Sequence, residues 1–151
     1  MKLIIGLGNP GEKYKFNRHN AGHMFVEWAI NNGQWAIKSD VFMNDSGEYV
    51  KKNLTNWTNL TNLFIAHDDL DIPLGKYKIQ FGVGPKVHNG ILSIENSLKT
   101  KDFWRIRIGV DSRQQDSRLA GERFVLENFT DEELKVLQEV YAKIGHDLKR
   151  L

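Results

Sequence analysis

The chain alternates between two hydrophobic periods, one typical of strands and the other of helices. Residues 3–7, LIIGL, and 62–66, NLFIA, are short apolar runs of the kind found in strands buried in the middle of a parallel sheet. Residues 77–81 and 104–110 instead alternate apolar and polar side chains, as one-sided strands do. A further short strand is predicted over 35–42. Strands of both kinds in one chain favour a mixed rather than a purely parallel sheet.

Between these strands, apolar residues recur at helical spacing and predict helices. The first helix has Asn20 as a candidate N-cap and Gly33 beyond its end, and the last opens with a capping box of Thr130 and Glu133. His23 falls on the polar side of the first helix, which predicts a surface histidine. The four apolar stripes are Ala21, Met24, Phe25, Trp28 and Ala29; Val50, Leu54 and Trp57; Ile91, Leu92, Ile94 and Leu98; and Leu134, Leu137, Tyr141, Ile144 and Leu148.

This interleaving of strands and helices indicates an α/β fold. We expect a three-layer α/β/α single domain over 1–151, built around a mixed, mostly parallel twisted sheet. A chain of 151 residues with 40% hydrophobic and 26% charged residues suits one such core. No repeat or linker suggests a second domain.

Composition then excludes several classes of function. The chain has no Cys, so it cannot form a disulfide framework, a thiolate nucleophile or a Cys-ligated zinc site. The N-terminal apolar run is too short for a signal peptide, and no run reaches the ~18 apolar residues that cross a bilayer. We therefore expect a cytoplasmic protein without membrane association.

The stretch with the densest candidate chemistry is 6–20, GLGNPGEKYKFNRHN, directly after the first strand. Gly6, Gly8 and Gly11 permit tight turns, and the crevice beyond the carboxyl ends of parallel strands is where ligands bind in α/β proteins. Asn9 and His19 are therefore placed at a possible site. The structural alternative is a simple connecting loop.

Three later junctions carry polar residues of the same kind. Asn44 lies at a strand-to-helix turn, where an Asn either caps the turn or donates to a ligand. The strand 62–66 is followed by His67, Asp68, Asp69 and Asp71, which suggest either a carboxylate partnered by a histidine or a metal site. His88 and Asn89 open a helix, where backbone N–H groups are free.

A basic stretch between 76 and 107 predicts a face that binds phosphates. Glu95 and Asp102 are its only acids, and Lys78 and Arg107 are the candidate phosphate contacts, with a solvated surface as the alternative. Its basic residues are Lys76, Lys78, Lys86, Lys99, Lys101, Arg105 and Arg107.

Taken in order, these motifs resemble the bacterial peptidyl-tRNA hydrolases. The resemblance rests on GLGNPG at 6–11 with Tyr14, RHNAG at 18–22, FMN at 42–44, AHDDLDIPLG at 66–75 and HNG at 88–90. It covers most of the chain. It implies an enzyme that cleaves the ester between peptide and tRNA in N-blocked peptidyl-tRNA, recycling tRNA during translation without a metal or other cofactor.

The resemblance also implies roles for individual residues. His19 would be the general base that activates water, held by Asp68, while Asn44 would donate to the developing oxyanion. Asn9 would help to distinguish peptidyl-tRNA from free aminoacyl-tRNA. Peptidyl-tRNA, bound at its acceptor end and 5′ phosphate region, would be the partner, with no obligate protein partner and a monomeric protein. The expected tRNA and peptide contacts are Tyr14, Phe42, Asn44, Asn89, Lys78 and Arg107.

Two alternatives remain open on the sequence. The segment before FMN is short, and Pro85, Lys86 and Val87 stand in a loop that is usually glycine-rich in this family, which allows a tRNA-binding module that has lost catalysis. Gly6, Gly8 and Gly11 also satisfy GxGxxG, which raises a nicotinamide-dependent enzyme. Pro10 and the lack of a helix starting at the third glycine argue against the latter.

Overall fold

A five-stranded sheet in the order β2-β1-β3-β5-β4 forms the centre of the protein. The computed structural model describes residues 2–54, 59–114 and 120–151. All neighbouring strands pair in parallel except β4 and β5, which are antiparallel, so the prediction of a mixed, mostly parallel sheet is confirmed. The strands are β1 Leu3–Gly6, β2 Ala36–Lys38, β3 Leu63–Pro73, β4 Tyr77–Phe81 and β5 Trp104–Asp111.

Helices cover both faces of the sheet and produce the predicted three layers. On one face, α1 and α5 pack on Phe64, Ala66 and Ile106, and on the other, α2 and α3 pack on Ile5 and Ile65. Alternate strand residues point to opposite faces, which is why neighbouring residues of one strand enter different cores. The helices are α1 Ala21–Asn31, α2 Ser46–Asn53, α3 Asn89–Leu98, the short α4 Gly121–Phe124 and α5 Asp131–Leu148.

The element bounds differ from the sequence prediction in three places. The strand predicted over 35–42 spans only Ala36–Lys38, and α2 ends before Leu54, which takes an extended backbone. Trp57, assigned to the same stripe, lies outside the described residues. The largest difference is in β3, which continues beyond Ala66 because residues 67–69 keep pairing with β5. The predicted capping box of α5 is present.

Gly22 allows α1 to lie directly on the sheet. A Cβ atom at this position would stand 2.2 Å from the carbonyl oxygen of Ala66 and 2.8 Å from backbone atoms of Leu7. Both contacts are with backbone atoms of the central strands or the residue that follows them. These atoms cannot move aside without displacing the sheet. The close approach brings the start of α1, and the residues before it, to the carboxyl ends of β1 and β3.

We expect Gly22→Ala to destabilise the protein by about 2 kcal/mol or more, because the added methyl overpacks a backbone contact. Urea denaturation followed by circular dichroism measures this free energy of unfolding. Asn31→Ala, an exposed position at the end of the same helix, is the control and should change stability by less than about 0.5 kcal/mol. Equal effects of the two substitutions would contradict the packing argument.

Candidate active site

His19 and Asp68 meet just beyond the carboxyl end of β1, beside the middle of β3. His19 lies in a short 3-10 turn, Arg18–Asn20, immediately before α1, and Asp68 lies within β3. The Nδ1 atom of His19 is 3.0 Å from Oδ1 and 2.9 Å from Oδ2 of Asp68. The His19 backbone N–H donates to the Val125 carbonyl at 2.8 Å, which fixes the turn that carries the imidazole. The sequence placed these two side chains at the same sheet edge, and the structure brings them into contact.

Asp68 is a buried carboxylate whose charge is favoured by two imidazoles. Burial by itself raises its pKa, but His19 and His88, through charge and hydrogen bonds, hold the pKa well below its usual range. The ionised Asp68 carboxylate takes up no proton from either ring. It accepts a hydrogen bond from each ring, so each ring must present an N–H group to it. Nδ1 of His19 therefore carries a proton toward Asp68, and Nε2 is the nitrogen that can accept a proton.

The pKa of His19 is raised relative to an ordinary histidine. Burial lowers it, but the charge of Asp68 and the hydrogen bond to that carboxylate outweigh burial. Nε2 makes no hydrogen bond to any residue in the described part of the chain. This is the arrangement of a general base: one nitrogen is held by a carboxylate and the other faces the site.

His88 is the functional candidate that sequence reasoning missed. Its Nδ1 accepts the backbone N–H groups of Gly90 at 3.1 Å and Ile91 at 3.2 Å, and so caps α3. Because Nδ1 is an acceptor, the ring proton is on Nε2, which donates to Oδ1 of Asp68 at 2.8 Å. The available signal was the position of His88 at a helix start; nothing in the sequence linked it to Asp68.

His67 is fully buried beside this cluster and stays neutral. Its Nδ1 donates to the Asp68 carbonyl at 2.7 Å, and its ring packs edge-on against His88 with centroids 5.0 Å apart. Burial, reinforced by His88, lowers the pKa of His67 to about 3. Nε2 of His67 has no hydrogen-bond partner among the residues described here. His67 therefore packs beside the cluster and fixes the Asp68 carbonyl, and it is not a titrating group.

His19, Asp68 and His88 also form a group that could in principle hold a metal ion, since their ligand atoms lie within 4.8 Å of one another. The histidine nitrogens that face Asp68 are its hydrogen-bond donors. A metal would have to displace both protons, so the donor set fits the hydrogen-bonded state better than a metal site.

Asn9 links the loop after β1 to the segment that carries Asn44. Its backbone N–H donates to Oδ1 of Asn20 and its carbonyl accepts from Nδ2 of Asn20, both at 2.9 Å. Its side-chain Oδ1 accepts the backbone N–H of Met43 at 2.9 Å. This leaves Nδ2 of Asn9 without a partner in the described ranges. Asn44, one residue after Met43, is exposed at the same edge.

The other candidate contacts are distributed around this centre. Tyr14 and Phe42 meet edge to face, with ring centroids 6.2 Å apart, and Phe42 is 54% exposed. Asn89 is exposed at the start of α3, directly after His88. Asn44 and Asn89 line the same groove between α2 and α3. The structure thus brings together candidates from five separate stretches of sequence.

Comparisons with known proteins identify the family of this chain. A family model described as peptidyl-tRNA hydrolase matches residues 3–40 and 27–151. The chain belongs to the peptidyl-tRNA hydrolase family. It is 36% identical to the peptidyl-tRNA hydrolase of Pseudothermotoga lettingae, over 95% of this chain and 86% of that protein. It is 39% identical to that of Thermodesulfovibrio yellowstonii, over 92% and 86%.

Structural similarity leads to the same family. The crystal structure of peptidyl-tRNA hydrolase from Acinetobacter baumannii superposes with a TM-score of 0.84 and 26% sequence identity, covering 99% of this chain and 87% of that one. The resemblance inferred from the motifs is therefore confirmed. The dinucleotide-binding alternative finds no support, because Gly11 is followed only by a three-residue 3-10 turn, Glu12–Tyr14, and not by a helix that could hold a pyrophosphate.

The predicted phosphate-binding face of this family member requires a correction. Arg107 is only 7% exposed: its Nε donates to Asp69 at 2.8 Å and its Nη1 to Gln80 at 2.7 Å. Arg105 is completely buried and donates to Glu95 at 2.6 Å. Both guanidinium groups are used within the fold, because each has an acidic partner elsewhere in the chain. Lys78, directly opposite Arg107 across the ladder, is exposed.

The prediction that His23 is a surface histidine is also wrong. Nε2 of His23 lies 3.0 Å from the Ser39 hydroxyl, and its ring packs against Gly8. Burial, together with Lys38, lowers the pKa of His23 to about 4, so this ring is neutral. His23 helps to hold β2 against the loop after β1.

No helix within 2–54, 59–114 and 120–151 has the length and apolar character to cross a bilayer.

We expect His88→Asn to separate the two roles of His88, which are to cap α3 and to donate a hydrogen bond to Asp68. The Asn carboxamide oxygen can replace Nδ1 as the cap of α3, but no atom replaces Nε2, so Asp68 loses one donor. Loss of a hydrogen bond to a buried charge predicts a fall in kcat of about 10- to 100-fold with the fold retained. His88→Ala, which also removes the cap, should lose about 1 kcal/mol of stability in addition.

Steady-state kinetics and urea denaturation of the two variants measure these effects. An Asn variant that is as active as the wild type would show that the hydrogen bond from His19 alone is sufficient for the ionised Asp68 carboxylate. An Asn variant as unstable as the Ala variant would show that the cap is not replaced.

Proposed function

We propose that this chain hydrolyses the ester bond of N-blocked peptidyl-tRNA, with His19 as general base. The observation that carries the proposal is the orientation of His19: Nδ1 is held by the buried Asp68 carboxylate, while Nε2 is available to a water molecule. General-base catalysis of this kind accelerates a reaction by about 10²- to 10⁴-fold. An aminoacyl ester is activated enough that no covalent nucleophile is needed.

The proposed reaction has two proton transfers. Nε2 of His19 takes a proton from water as the water oxygen bonds to the ester carbonyl carbon, and the carbonyl oxygen becomes an oxyanion. The Asn44 carboxamide donates to that oxyanion, a contribution whose loss costs about 10²- to 10³-fold in turnover. Collapse of the tetrahedral species breaks the bond to the ribose oxygen, which receives the proton from His19. Peptide acid and tRNA are released, and neither a metal nor another cofactor takes part.

The remaining residues are assigned to substrate selection. Oδ1 of Asn9 is occupied by the Met43 backbone N–H, so Nδ2 is the atom that would donate to the carbonyl of a blocked α-amino group. Tyr14, Phe42 and Asn89 surround the position of the terminal nucleotide and the esterified residue. Lys78 supplies a phosphate contact for the acceptor end and 5′ phosphate region of the tRNA, and the buried Arg107 supports its strand. Salt should weaken tRNA binding steeply. We assign the protein to the cytoplasm as a monomer.

The first experiment compares hydrolysis of N-acetyl-aminoacyl-tRNA with hydrolysis of the unblocked aminoacyl-tRNA, in wild type and His19→Ala. We expect the wild type to cleave only the blocked substrate and His19→Ala to be slower by about 10²- to 10⁴-fold, because the base is lost. A variant that is as fast as the wild type would exclude His19 as the base. A wild type that binds tRNA without cleaving it would instead support the tRNA-binding module.

A pH profile tests the role of Asp68. His19 must be neutral to act as a base, so kcat/KM should rise with pH through the pKa of His19, which is raised relative to an ordinary histidine, and then level off. Asp68→Asn removes the charge that raises this pKa but leaves the ring buried, so the midpoint should move to lower pH and the plateau should fall. The matched control is Asp40→Asn, an exposed carboxylate that is not among the groups shifting the pKa of His19 or Asp68. A midpoint that does not move, or that moves upward, contradicts the assignment.

A further inference from the structure

A groove of about 410 Å³ runs between α2 and α3. Its lining includes Asn44 and Asn89, both assigned to the reacting end of the substrate, and Asn89 directly follows His88 at the start of α3. From there the groove continues along the helices past Glu48 and Asn96. Whatever is bound between Asn44 and Asn89 therefore has a continuous path into this groove.

The groove is built as one unit with Asn44. The Ser93 hydroxyl donates to the Asn44 carbonyl at 2.9 Å and accepts the Gly47 backbone N–H at 2.8 Å. Helices α2 and α3 approach so closely here that a Cβ on Gly47 would stand 2.1 Å from the Ser93 carbonyl oxygen. A group held in the groove is thus positioned relative to the reacting carbonyl, which is the requirement for a substrate subsite.

The charges of the groove are opposite to those expected for a tRNA site. Asp45 and Glu48 are both exposed, and no Lys or Arg is among its lining residues within the described ranges. The exposed Lys76 and Lys78 lie instead on β4 and the turn before it, across β5 and β3 from this groove. Two carboxylates in the lining disfavour a polyanion in the groove itself, which favours the lysine side as the direction in which the tRNA leaves the centre.

The side chains of the groove suit a peptide. Carboxamides such as Asn89 and Asn96 can donate to and accept from a peptide backbone at once, and the Ser93 hydroxyl adds a further partner. Leu92 is 54% exposed in the same groove and offers an apolar contact to a side chain. Asp45 and Glu48 lie where they would meet a cationic side chain.

We propose that this groove binds the peptide part of the substrate upstream of the esterified residue and favours a Lys or Arg at the penultimate position. The inference rests on the proposed function and deepens it: it names Asp45 and Glu48 as specificity-determining residues. It also divides the surface into a tRNA side at Lys78 and a peptide side at Glu48, with His19 and Asn44 between them.

The test compares two N-acetyl-dipeptidyl-tRNAs that share the tRNA and the esterified residue and differ only in a penultimate Lys or Glu. For the wild type at low ionic strength, we expect kcat/KM to be about five-fold higher for the Lys substrate, the size expected from two exposed charge pairs. The D45N/E48Q double variant should bring the ratio close to one, and raised salt should have the same effect in the wild type. Glu139→Gln, an exposed carboxylate on α5 at the opposite face of the sheet, should leave the ratio unchanged.

The possible outcomes distinguish a failure of the proposed function from a failure of the groove assignment. Wild type that cleaves neither substrate overturns the proposed function and the groove assignment with it. Wild type that cleaves both substrates equally well, or a preference for Lys that survives in D45N/E48Q, overturns the groove assignment and leaves the hydrolase standing. Loss of the preference in D45N/E48Q but not in Glu139→Gln supports the groove.

Discussion

The buried carboxylate of Asp68 is the constraint on which the arrangement of the site depends. An isolated charge in a protein interior is costly, and Asp68 is tolerated because two imidazole N–H groups donate to it. One donor comes from the turn before α1 and the other from the cap of α3, which lie on opposite faces of the sheet. Satisfying one charge therefore ties both helical layers to the middle of β3. The same requirement fixes which nitrogen of His19 remains free.

A buried ion pair of the neighbouring residue, Arg18, also restrains the His19 turn. The guanidinium of Arg18 donates to Glu133 at 2.8 Å and lies over the ring of Phe124, 4.0 Å from its centroid. Glu133 also closes the capping box of α5 and accepts a hydrogen bond from the Ser112 hydroxyl. The turn that carries His19 is thus fixed to the start of the last helix and to the end of β5. A base must be held within a fraction of an ångström to be effective, and this network supplies that rigidity.

The sequence was sufficient for the layers of the fold because hydrophobic period and capping residues act locally. The alternation at 77–81, the apolar run at 62–66 and the Thr130 capping box each determine an element within a few residues. The site was predictable only where the chain order of motifs carried it, as for His19 and Asp68. The contact of His88 with Asp68 spans 20 residues, and that of Arg107 with Asp69 spans 38, so no local pattern reveals either partner. The role of His88 and the burial of Arg107 were both missed for this reason.

The burial of Arg105 and Arg107 shows that a count of basic residues does not by itself locate a nucleic-acid surface. Counting charges treats Arg105, Arg107 and Lys78 alike, but β5 is covered by a helix on each face and by β4 along its outer side, so its two arginines are internal. Arg tolerates this because its planar fork can satisfy several acceptors at once: Arg105 donates to Glu95 and to two carbonyls. Lys78 is on the edge strand, and its side chain is exposed. The charge exposed at this edge of the sheet is therefore set by topology: Lys76 and Lys78 are exposed before and on the edge strand, while the arginines beside it stabilise the sheet that positions Asp68.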